Sequence, residues 1–346
     1  MIKYLGSKRR MLGAILDAIG ALGRAGTVVD LFSGTSRVGH ALKGAGYRVL
    51  ANDHNSYAQA LARCYVEADR DELLHDAERL VAELNRLPGE PGWFTETFCV
   101  SSRFFQPHNG ARVDAIRQAI AAKALPPRLE AVLLVSLMEA ADRVDSTTGV
   151  QMAYLKQWAP RSHRPLELRV PALLPQAAAG RGEAHGLDAV EAASRLEGDV
   201  AYIDPPYNQH SYLRNYHVWE SLVRWDRPEV YGVACKRVDC RERRSDFNVR
   251  DRFAAAMEAL IGAVRAPALV VSASDESWLS REDLLRMLRR RGQVTVLEHE
   301  QRRYVGAQIG IYNPRGEKVG QVGRLRNRES LYVMAPSGVA SPGGGP

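Results

Sequence analysis

Two short apolar runs near the start of the chain, each ending in polar residues, predict neighbouring β-strands. Residues 27–32 form the first run, and a glycine turn at Gly34 separates it from a stretch with helical spacing. Residues 47–51 form the second run, which leads to Asp53. A strand, a glycine turn, a helix and a second strand that ends in an acid make the opening unit of a nucleotide-binding parallel sheet.

Apolar positions at helical spacing dominate the chain from about residue 58 to residue 143, and a stretch rich in proline, glycine and polar residues at 145–182 predicts irregular loop. Strand-like runs return at 200–203, 268–272, 294–297 and 331–333, with helical spacing between them at 253–264 and 281–291. We therefore expect an α/β fold with a Rossmann-like, doubly wound sheet that is interrupted by a mostly helical insertion.

This pattern divides the chain into a sheet domain in two parts and an insertion between them. Residues 1–57 are predicted to form the N-terminal part of the sheet domain and residues 183–336 its C-terminal part, with the insertion at 58–182. Residues 337–346 are rich in glycine and proline, which predicts a disordered tail.

Composition narrows the class of protein. Of the 346 residues, 45% are hydrophobic and 25% are charged, as in an ordinary globular protein. The excess of 47 Lys and Arg over 40 Asp and Glu gives a formal charge of +7, which suggests a polyanionic partner. The longest apolar run, around 131–138, is far shorter than the roughly 18 residues that a membrane span needs.

The apolar residues at 11–22 follow helical spacing, and Asp17 lies among them, which favours a helix over a signal peptide. We therefore expect a cytoplasmic protein.

Cysteine usage argues against a disulfide scaffold, because four cysteines are few for a chain of this length. Cys235 and Cys240 are separated by four residues and have no neighbouring Cys or His pair. We therefore expect reduced thiols and no metal site.

The turn after the first predicted strand and the acid after the second suit a nucleoside ligand. The glycine turn within Asp30–Thr35 allows a ligand to approach the backbone closely. Asp53 lies 23 residues after Asp30, where a carboxylate at a strand tip can bind ribose hydroxyls. Tight-turn packing without a ligand is an alternative that these residues alone leave open.

The segment Asp204-Pro205-Pro206-Tyr207 follows the predicted strand at 200–203 directly. Prolines donate no backbone hydrogen bond, so the carbonyl groups beside them remain free to accept. Asp204 adds a carboxylate acceptor and Tyr207 an aromatic face, which together suit a flat group that carries an amine. For any one of these residues alone, a plain strand end is the alternative.

Three segments together resemble the alpha-class, Dam-like D12 family of S-adenosylmethionine-dependent DNA amino-methyltransferases, of the adenine-specific type. Lys3-Tyr4-Leu5-Gly6-Ser7-Lys8 is similar to the family's N-terminal motif, Asp30–Thr35 to its cofactor motif and Asp204–Tyr207 to its catalytic motif. Their order matches the alpha arrangement, and the resemblance extends from Lys3 to about Val333. Ser36 stands where the cofactor motif often has a second glycine, so we expect a changed turn that still binds the cofactor.

The resemblance implies S-adenosylmethionine as cofactor and suggests which residues hold it. Tyr4 and Lys8 would close over the cofactor, and Asp53 would bind its ribose hydroxyls. Its methionine portion would be held by Phe32 and the backbone of Ser33, Gly34 and Thr35, with Asp30 in the same site. Asp188 would match the acid that meets the adenine ring, although other acids lie nearby.

The resemblance also implies methyl transfer to an exocyclic amine of a DNA base. Asp204 and the Pro205 carbonyl would accept the hydrogens of that amine and so localise its lone pair, with Pro206 completing the motif. Tyr207 would stack on the base, which must be flipped out of the duplex. Adenine N6 is the expected target, and cytosine N4 is the first alternative because both amines pose the same electronic problem. RNA or a protein amide as substrate, or an inactive DNA-binding protein, are further alternatives.

Basic, amide and aromatic side chains indicate where DNA would bind. The basic candidates would contact phosphates, the amides would read base edges, and the ring would fill the gap left by a flipped base. These candidates are Arg9, Arg10, Asn208, Gln209, Tyr212, Lys236 and Arg237. Solvated surface faces and a structured loop are the alternatives.

The implied partners are double-stranded DNA and, in a restriction-modification system, a cognate restriction endonuclease. We expect no membrane contact and a monomer or weak dimer.

Overall fold

The computed structural model describes residues 1–23, 26–206, 211–302 and 326–336. Its centre is a seven-stranded sheet in the order β3-β2-β1-β4-β5-β7-β6. The strands are β1 (Thr27–Asp30), β2 (Arg48–Asn52), β3 (Glu183–His185), β4 (Val200–Ile203), β5 (Ala268–Ser274), β6 (Gln293–Arg302) and β7 (Arg326–Ala335). Strands β1 to β5 pair in parallel, and β7 lies antiparallel between β5 and β6.

Helices cover both faces of this sheet and form a separate cluster beside it. They are α1 (Leu12–Gly20), α2 (Arg37–Gly44), α3 (Ser56–Ala62), α4 (Arg70–Asn85), α5 (Trp93–Thr95), α6 (Pro107–Ala122), α7 (Pro127–Val144), α8 (Ala189–Arg195), α9 (Tyr212–Asn215), α10 (His217–Arg224), α11 (Arg250–Ala263) and α12 (Arg281–Arg289). π-Helical turns continue α3 over Arg63–Glu67 and α5 over Glu96–Val100, and 3₁₀ turns lie at Lys8–Arg10, Pro160–His163, Val238–Arg241 and Asp246–Asn248. A short hairpin pairs Val230–Tyr231 with Lys236–Arg237.

Both faces of the sheet are buried, which explains why its central strands are continuous apolar runs. Successive side chains of a strand point to opposite faces. Val29 and Ala201 face the side covered by α8, α11 and α12, whereas Val28 and Val200 face the side covered by α1 and α2. A parallel sheet covered on both sides is the doubly wound arrangement, so the predicted fold class is confirmed.

A second apolar core lies within the helical cluster. It joins buried side chains of α3 to α7 with those of α9 and α10, among them Phe98, Leu133 and Trp219. Helices α9 and α10 come after β4 in the chain, so this cluster is assembled from two separate stretches. Ile2, at the start of the chain, is buried in the same core.

The predicted strands are present. Some of them are longer than the apolar runs that predicted them, because polar residues also take part in the β-ladder. β6 and β7 form a ladder of ten residue pairs that runs from Gln293 with Ala335 to Arg302 with Arg326, well beyond the apolar runs at 294–297 and 331–333. β3 was not predicted, because its three residues Glu183–His185 carry no apolar pattern. The stretch at 145–182 is largely irregular, as predicted, and the predicted tail at 337–346 lies outside the described residues.

All four cysteines are buried and unpaired with one another. Among the described residues, no helix combines the length and the apolar character needed to cross a membrane.

Candidate active site

A cleft opens at the carboxyl ends of β1, β2 and β4. The parallel register sets Asp30, the last residue of β1, beside Ala51 of β2 and Tyr202 of β4, so the residues that follow these strands lie side by side. Strand order changes direction between β1 and β4, and such switch points are where open α/β sheets bind ligands. The cleft encloses about 820 Å³, including its open mouth.

Most of the residues predicted for the site line this cleft. They are Tyr4, Lys8, Asp30, Phe32, Ser33, Gly34, Thr35, Asp53, Asp204, Pro206 and Tyr212. They come from the start of the chain, from the ends of three strands and from α9, so the fold brings together segments about 200 residues apart.

The turn after β1 is held by backbone bonds to β2. The Ser33 amide donates to the Asn52 carbonyl over 2.9 Å, and the Gly34 amide donates to Asp53 Oδ2 over 3.1 Å. Gly34 has a φ of +49°, in the left-handed region that favours glycine. Ser36 has a φ of +56° and takes the same region, so serine keeps a conformation that glycine adopts more readily.

The carboxylate of Asp53 is shared between two turns. Its Oδ2 accepts from Gly34, and its Oδ1 accepts from the Asn55 amide over 2.9 Å. Asp53 therefore fixes the glycine turn relative to the start of α3. It still lines the cleft, where a carboxylate at the tip of β2 can accept from hydroxyl groups.

Asp30 lies buried at the base of the cleft, 1% exposed. Neither of its carboxylate oxygens makes a hydrogen bond of good geometry within the described residues. Burial, with the nearby charges of Asp204 and Asp53, raises the pKa of Asp30 to about 8, although the Phe32 amide opposes the shift. A buried acid with this pKa suits a cationic ligand, which would restore its charge.

Stacked tyrosines form one wall of the cleft. The ring of Tyr4 stacks on Tyr212 at 5.0 Å and on Tyr216 at 4.5 Å between centroids. The Tyr216 hydroxyl accepts from the Leu5 amide over 2.6 Å, and the hydroxyl groups of Tyr4 and Tyr57 lie 3.2 Å apart. This packing fixes the first residues of the chain beside the site.

The Lys8 ammonium connects Asp204 with a residue that the sequence pattern did not indicate. Its Nζ lies 3.1 Å from Asp204 Oδ1 and also contacts Glu329 Oε1 on β7. Burial raises the pKa of Asp204 to about 6, while Lys8 opposes that shift and Glu329 adds to it. Lys8 was predicted to close over the cofactor, and here its ammonium contacts Asp204.

Asp188 caps α8 by accepting from the Val190 amide over 2.9 Å and is not among the described residues that line the cleft. Pro205 is not among them either, although Asp204 and Pro206 on either side of it are. The roles predicted for Asp188 and Pro205 stay predictions. Tyr207, Asn208 and Gln209 lie outside the described residues, so their predicted roles stay predictions.

The basic candidates differ in exposure. Arg9 and Arg10 are exposed on the turn that carries Lys8, and Lys236 is half-buried in the hairpin. Arg237 is 1% exposed, and its guanidinium binds Asp226 through two contacts of 2.7 Å and Asp239 over 3.0 Å. A buried and fully paired guanidinium cannot reach a phosphate, so we correct the predicted DNA contact of Arg237 to a structural role.

Several residues of the cleft were missed by sequence reasoning, among them Arg37, Arg243, Ser245 and Asn248. Arg243 donates to Glu220 over 2.9 Å and to the His54 carbonyl over 3.1 Å, and so connects the segment before α11 with the end of β2. The basic stretch around Arg243 was a visible signal, but its position beside the cleft depends on tertiary packing.

The site combines a buried acid, a carboxylate at a strand tip and an ammonium-bound carboxylate next to prolines. Such a set can bind a cationic nucleoside and accept hydrogens from an amine. Within residues 1–23, 26–206, 211–302 and 326–336, no three His, Cys, Asp or Glu side chains are grouped as a metal site would require.

The sequence is similar to those of known proteins. The family model of the D12 class N6 adenine-specific DNA methyltransferases matches residues 4–280. Type II methyltransferase M.NlaIII of Neisseria lactamica is 30% identical over 284 residues, which cover 80% of this chain and 83% of that protein. Type II methyltransferase M.FokI of Planomicrobium okeanokoites is 29% identical over 315 residues, or 84% of this chain and 47% of that protein. Modification methylase StsI of Streptococcus sanguinis is 27% identical over 304 residues, or 83% of this chain and 46% of that protein. The chain thus spans about half the length of the last two relatives.

The structural role of Arg237 predicts a loss of stability on substitution. Arg237→Ala leaves Asp226 and Asp239 without their main partner and is expected to lower the free energy of unfolding by about 3 kcal/mol. Urea unfolding measures this change. Arg252→Ala, which removes an arginine with an exposed side chain paired to Asp246, is the control and should cost less than about 1 kcal/mol. Equal stability of the two variants would contradict the structural role.

Proposed function

The chain belongs to the D12 class N6 adenine-specific DNA methyltransferases, and on that premise we propose how its own residues perform the reaction. The enzyme transfers a methyl group to the N6 amine of adenine in DNA, so the predicted family and the preference for adenine over cytosine are confirmed. The roles that follow are proposals for individual residues.

We propose that S-adenosylmethionine is the methyl donor and binds in the cleft. The residues fit it: Asp30 is a buried carboxylate that lacks a charge partner, and Gly34, with its φ of +49°, lets the backbone of the turn line the cleft beside Tyr4. When bound, the donor supplies a methyl group on a positively charged sulfonium. Asp30 would pair with its cationic methionine portion, and Asp53 would accept from its ribose hydroxyls.

Asp204 is the proposed acceptor for the target amine. The lone pair of an exocyclic amine is delocalised into the ring, so the nitrogen is a poor nucleophile. A carboxylate that accepts one of its hydrogens favours tetrahedral geometry at nitrogen and localises that lone pair. The Pro205 carbonyl would accept the second hydrogen, and Tyr207 would stack on the base. The nitrogen would lose one proton as the new N–C bond forms and the bond between the methyl group and the sulfonium breaks, and Asp204, with its raised pKa, would accept that proton.

DNA is proposed to lie across the mouth of the cleft. Exposed Arg9 and Arg10 on the turn that carries Lys8 would contact phosphates, as would Lys236. Tyr212 lines the cleft and would occupy the space left by the flipped base, with Asn208 and Gln209 reading base edges. We assign target recognition to the helical region at 58–182, since its core shares Tyr216 and Tyr57 with the tyrosine wall.

A cognate restriction endonuclease is the proposed cellular counterpart. The similar proteins are named type II methyltransferases and modification methylases. Methylation by this chain would then protect DNA from cleavage at the same sequence.

One observation carries the residue assignment: Asp204 lines the same cleft as Asp30, Gly34 and Asp53, and its carboxylate is held at the edge of the sheet by an ammonium group. The donor site and the acceptor of the amine therefore share one cavity.

Substitution of Asp204 tests the chemistry. Asp204→Asn keeps the shape of the side chain but removes the carboxylate, and it should slow single-turnover methyl transfer to DNA by at least about 10²–10³-fold. Chromatography of the nucleosides measures the N6-methyladenine formed. Asp251→Asn, an exposed acid on α11, is the matched control and should retain wild-type activity. A rate for Asp204→Asn within tenfold of the wild type would contradict the proposed role.

The raised pKa of Asp30 predicts that donor binding releases a proton. At pH 7 most of the buried acid is protonated in the empty site, since its pKa is about 8. A cationic ligand lowers that pKa, so S-adenosylmethionine should bind with release of up to about one proton at pH 7, and affinity should rise with pH up to about 8.

Calorimetry in two buffers of different ionisation enthalpy counts the protons. Asp30→Asn has no proton to lose and should bind more weakly without release. If the wild type released no proton, or Asp30→Asn released as many, the pairing of Asp30 with the donor would be wrong.

A further inference from the structure

We propose that Glu329 is a positioning residue for methyl transfer: it holds the Lys8 ammonium, so that the Asp204 carboxylate can accept the amine of the target base. The proposal rests on the role of Asp204 given above. Glu329 lies in β7, beyond residues 4–280 that the family model matches.

The contacts of Glu329 place its carboxylate at the active site. Its Oε1 contacts Lys8 Nζ and accepts from Ser272 Oγ over 3.1 Å. The side chain of Glu329 is 13% exposed and that of Lys8 is 7% exposed, so solvent weakens their attraction little. The side chain of Asp204, whose Oδ1 lies 3.1 Å from the same ammonium, is 17% exposed.

The sheet fixes Glu329 firmly. It lies opposite Ser274 of β5 and opposite His299 of β6 in the register, so its backbone is paired on both sides. Ser272 of β5 holds the carboxylate itself. A side chain on a paired strand, with its carboxylate held by a hydrogen bond, is positioned more precisely than a side chain on a loop.

Charged and titratable groups surround Asp204 and affect its pKa. Lys8 faces it from the turn before α1, Glu329 from β7, Asp30 from β1 and Tyr202 from β4. Arg37 lines the same cleft from the start of α2. In this set Lys8 is the cation in contact with Asp204, and it contacts a second carboxylate at the same time.

Glu329 matters because the Lys8 ammonium and the amine of the target base compete for the Asp204 carboxylate. An ammonium is attracted to a carboxylate by its full positive charge as well as by its hydrogen bond, whereas the neutral amine of a base offers only the hydrogen bond. The neutral amine of a base therefore cannot displace Lys8 from Asp204 unless the ammonium keeps another charged partner. Glu329 supplies that partner, and the Asp204 carboxylate becomes available when the base enters.

The test compares Glu329→Gln with the wild type and with Glu298→Gln. Glu298 lies on β6, where it pairs with Arg281 and is 41% exposed, so this control makes the same chemical change on a neighbouring strand away from the cleft. Single-turnover methyl transfer to duplex DNA, at saturating donor and DNA, is measured from pH 5 to pH 9. Donor affinity and thermal unfolding are measured for each variant.

Glu329→Gln should change the rate in two ways. Above pH 8 the rate should fall about tenfold, because Lys8 then binds Asp204 in place of the amine. The acid limb, which reflects Asp204, should move to lower pH by about one unit, because removal of a negative neighbour lowers the pKa of Asp204. Glu298→Gln should match the wild type in both respects. Glu329→Asp, which keeps the charge on a shorter chain, should restore most of the rate and the position of the limb.

A fall in rate with an unmoved acid limb would overturn the proposal, because it would indicate a structural role. A rate for Glu329→Gln within twofold of the wild type would overturn it as well. If Glu329→Gln does not fold, Glu329→Asp decides: because it keeps the charge, it should retain most of the wild-type rate with its acid limb near the wild-type position. A folded Glu329→Asp variant that loses more than tenfold in rate while its limb stays at the wild-type position would count against the proposal.

Failure of this inference can be told apart from failure of the Asp204 assignment. If Asp204→Asn abolishes transfer while Glu329→Gln has no effect, only the role of Glu329 is wrong. If Asp204→Asn retains activity, the chemistry on which both rest is wrong.

Discussion

Repulsion among carboxylates at one edge of the sheet is the constraint on which the site depends. The parallel register of β1, β2 and β4 brings Asp30, Asp53 and Asp204 to the same edge, and β7 adds Glu329. Close like charges in a buried place cannot all ionise without compensation. Burial raises the pKa of Asp30 to about 8 and that of Asp204 to about 6, neighbouring carboxylates add to both shifts, and Lys8 lies between two of the acids.

The surrounding structure holds the Lys8 ammonium, which compensates these negative charges, in place. Lys8 belongs to the first ten residues, which Tyr4 and Leu5 tie to Tyr57 of α3, to Tyr212 of α9 and to Tyr216 between α9 and α10. The helical cluster therefore supports the cation that the sheet requires. Glu220, buried in α10, accepts from the Tyr57 amide and from Arg243, and so joins the cluster to the loops around the end of β2. Sheet and cluster meet at the cleft, where donor and base must meet.

The features of this arrangement that depend on the local sequence pattern could be predicted. Apolar runs predicted β1, β2, β4 and β5 because strands buried on both faces need uninterrupted apolar residues, and the residues that follow β1, β2 and β4 line the cleft. Glu329 had no such signal, since its role depends on a strand that returns antiparallel 321 residues after Lys8. β3 was too short and too polar to be seen. Arg237 shows the opposite case: a basic run suggested a DNA contact, but two nearby acids hold that guanidinium inside the protein.

A crystal structure with a donor analogue and duplex DNA tests most directly whether Asp204 accepts the target amine in place of Lys8. We expect a flipped adenine with its N6 within hydrogen-bond distance of Asp204 Oδ1, and Lys8 Nζ withdrawn to Glu329. An adenine in the cleft with N6 away from Asp204, while Lys8 still occupies that carboxylate, would contradict the mechanism.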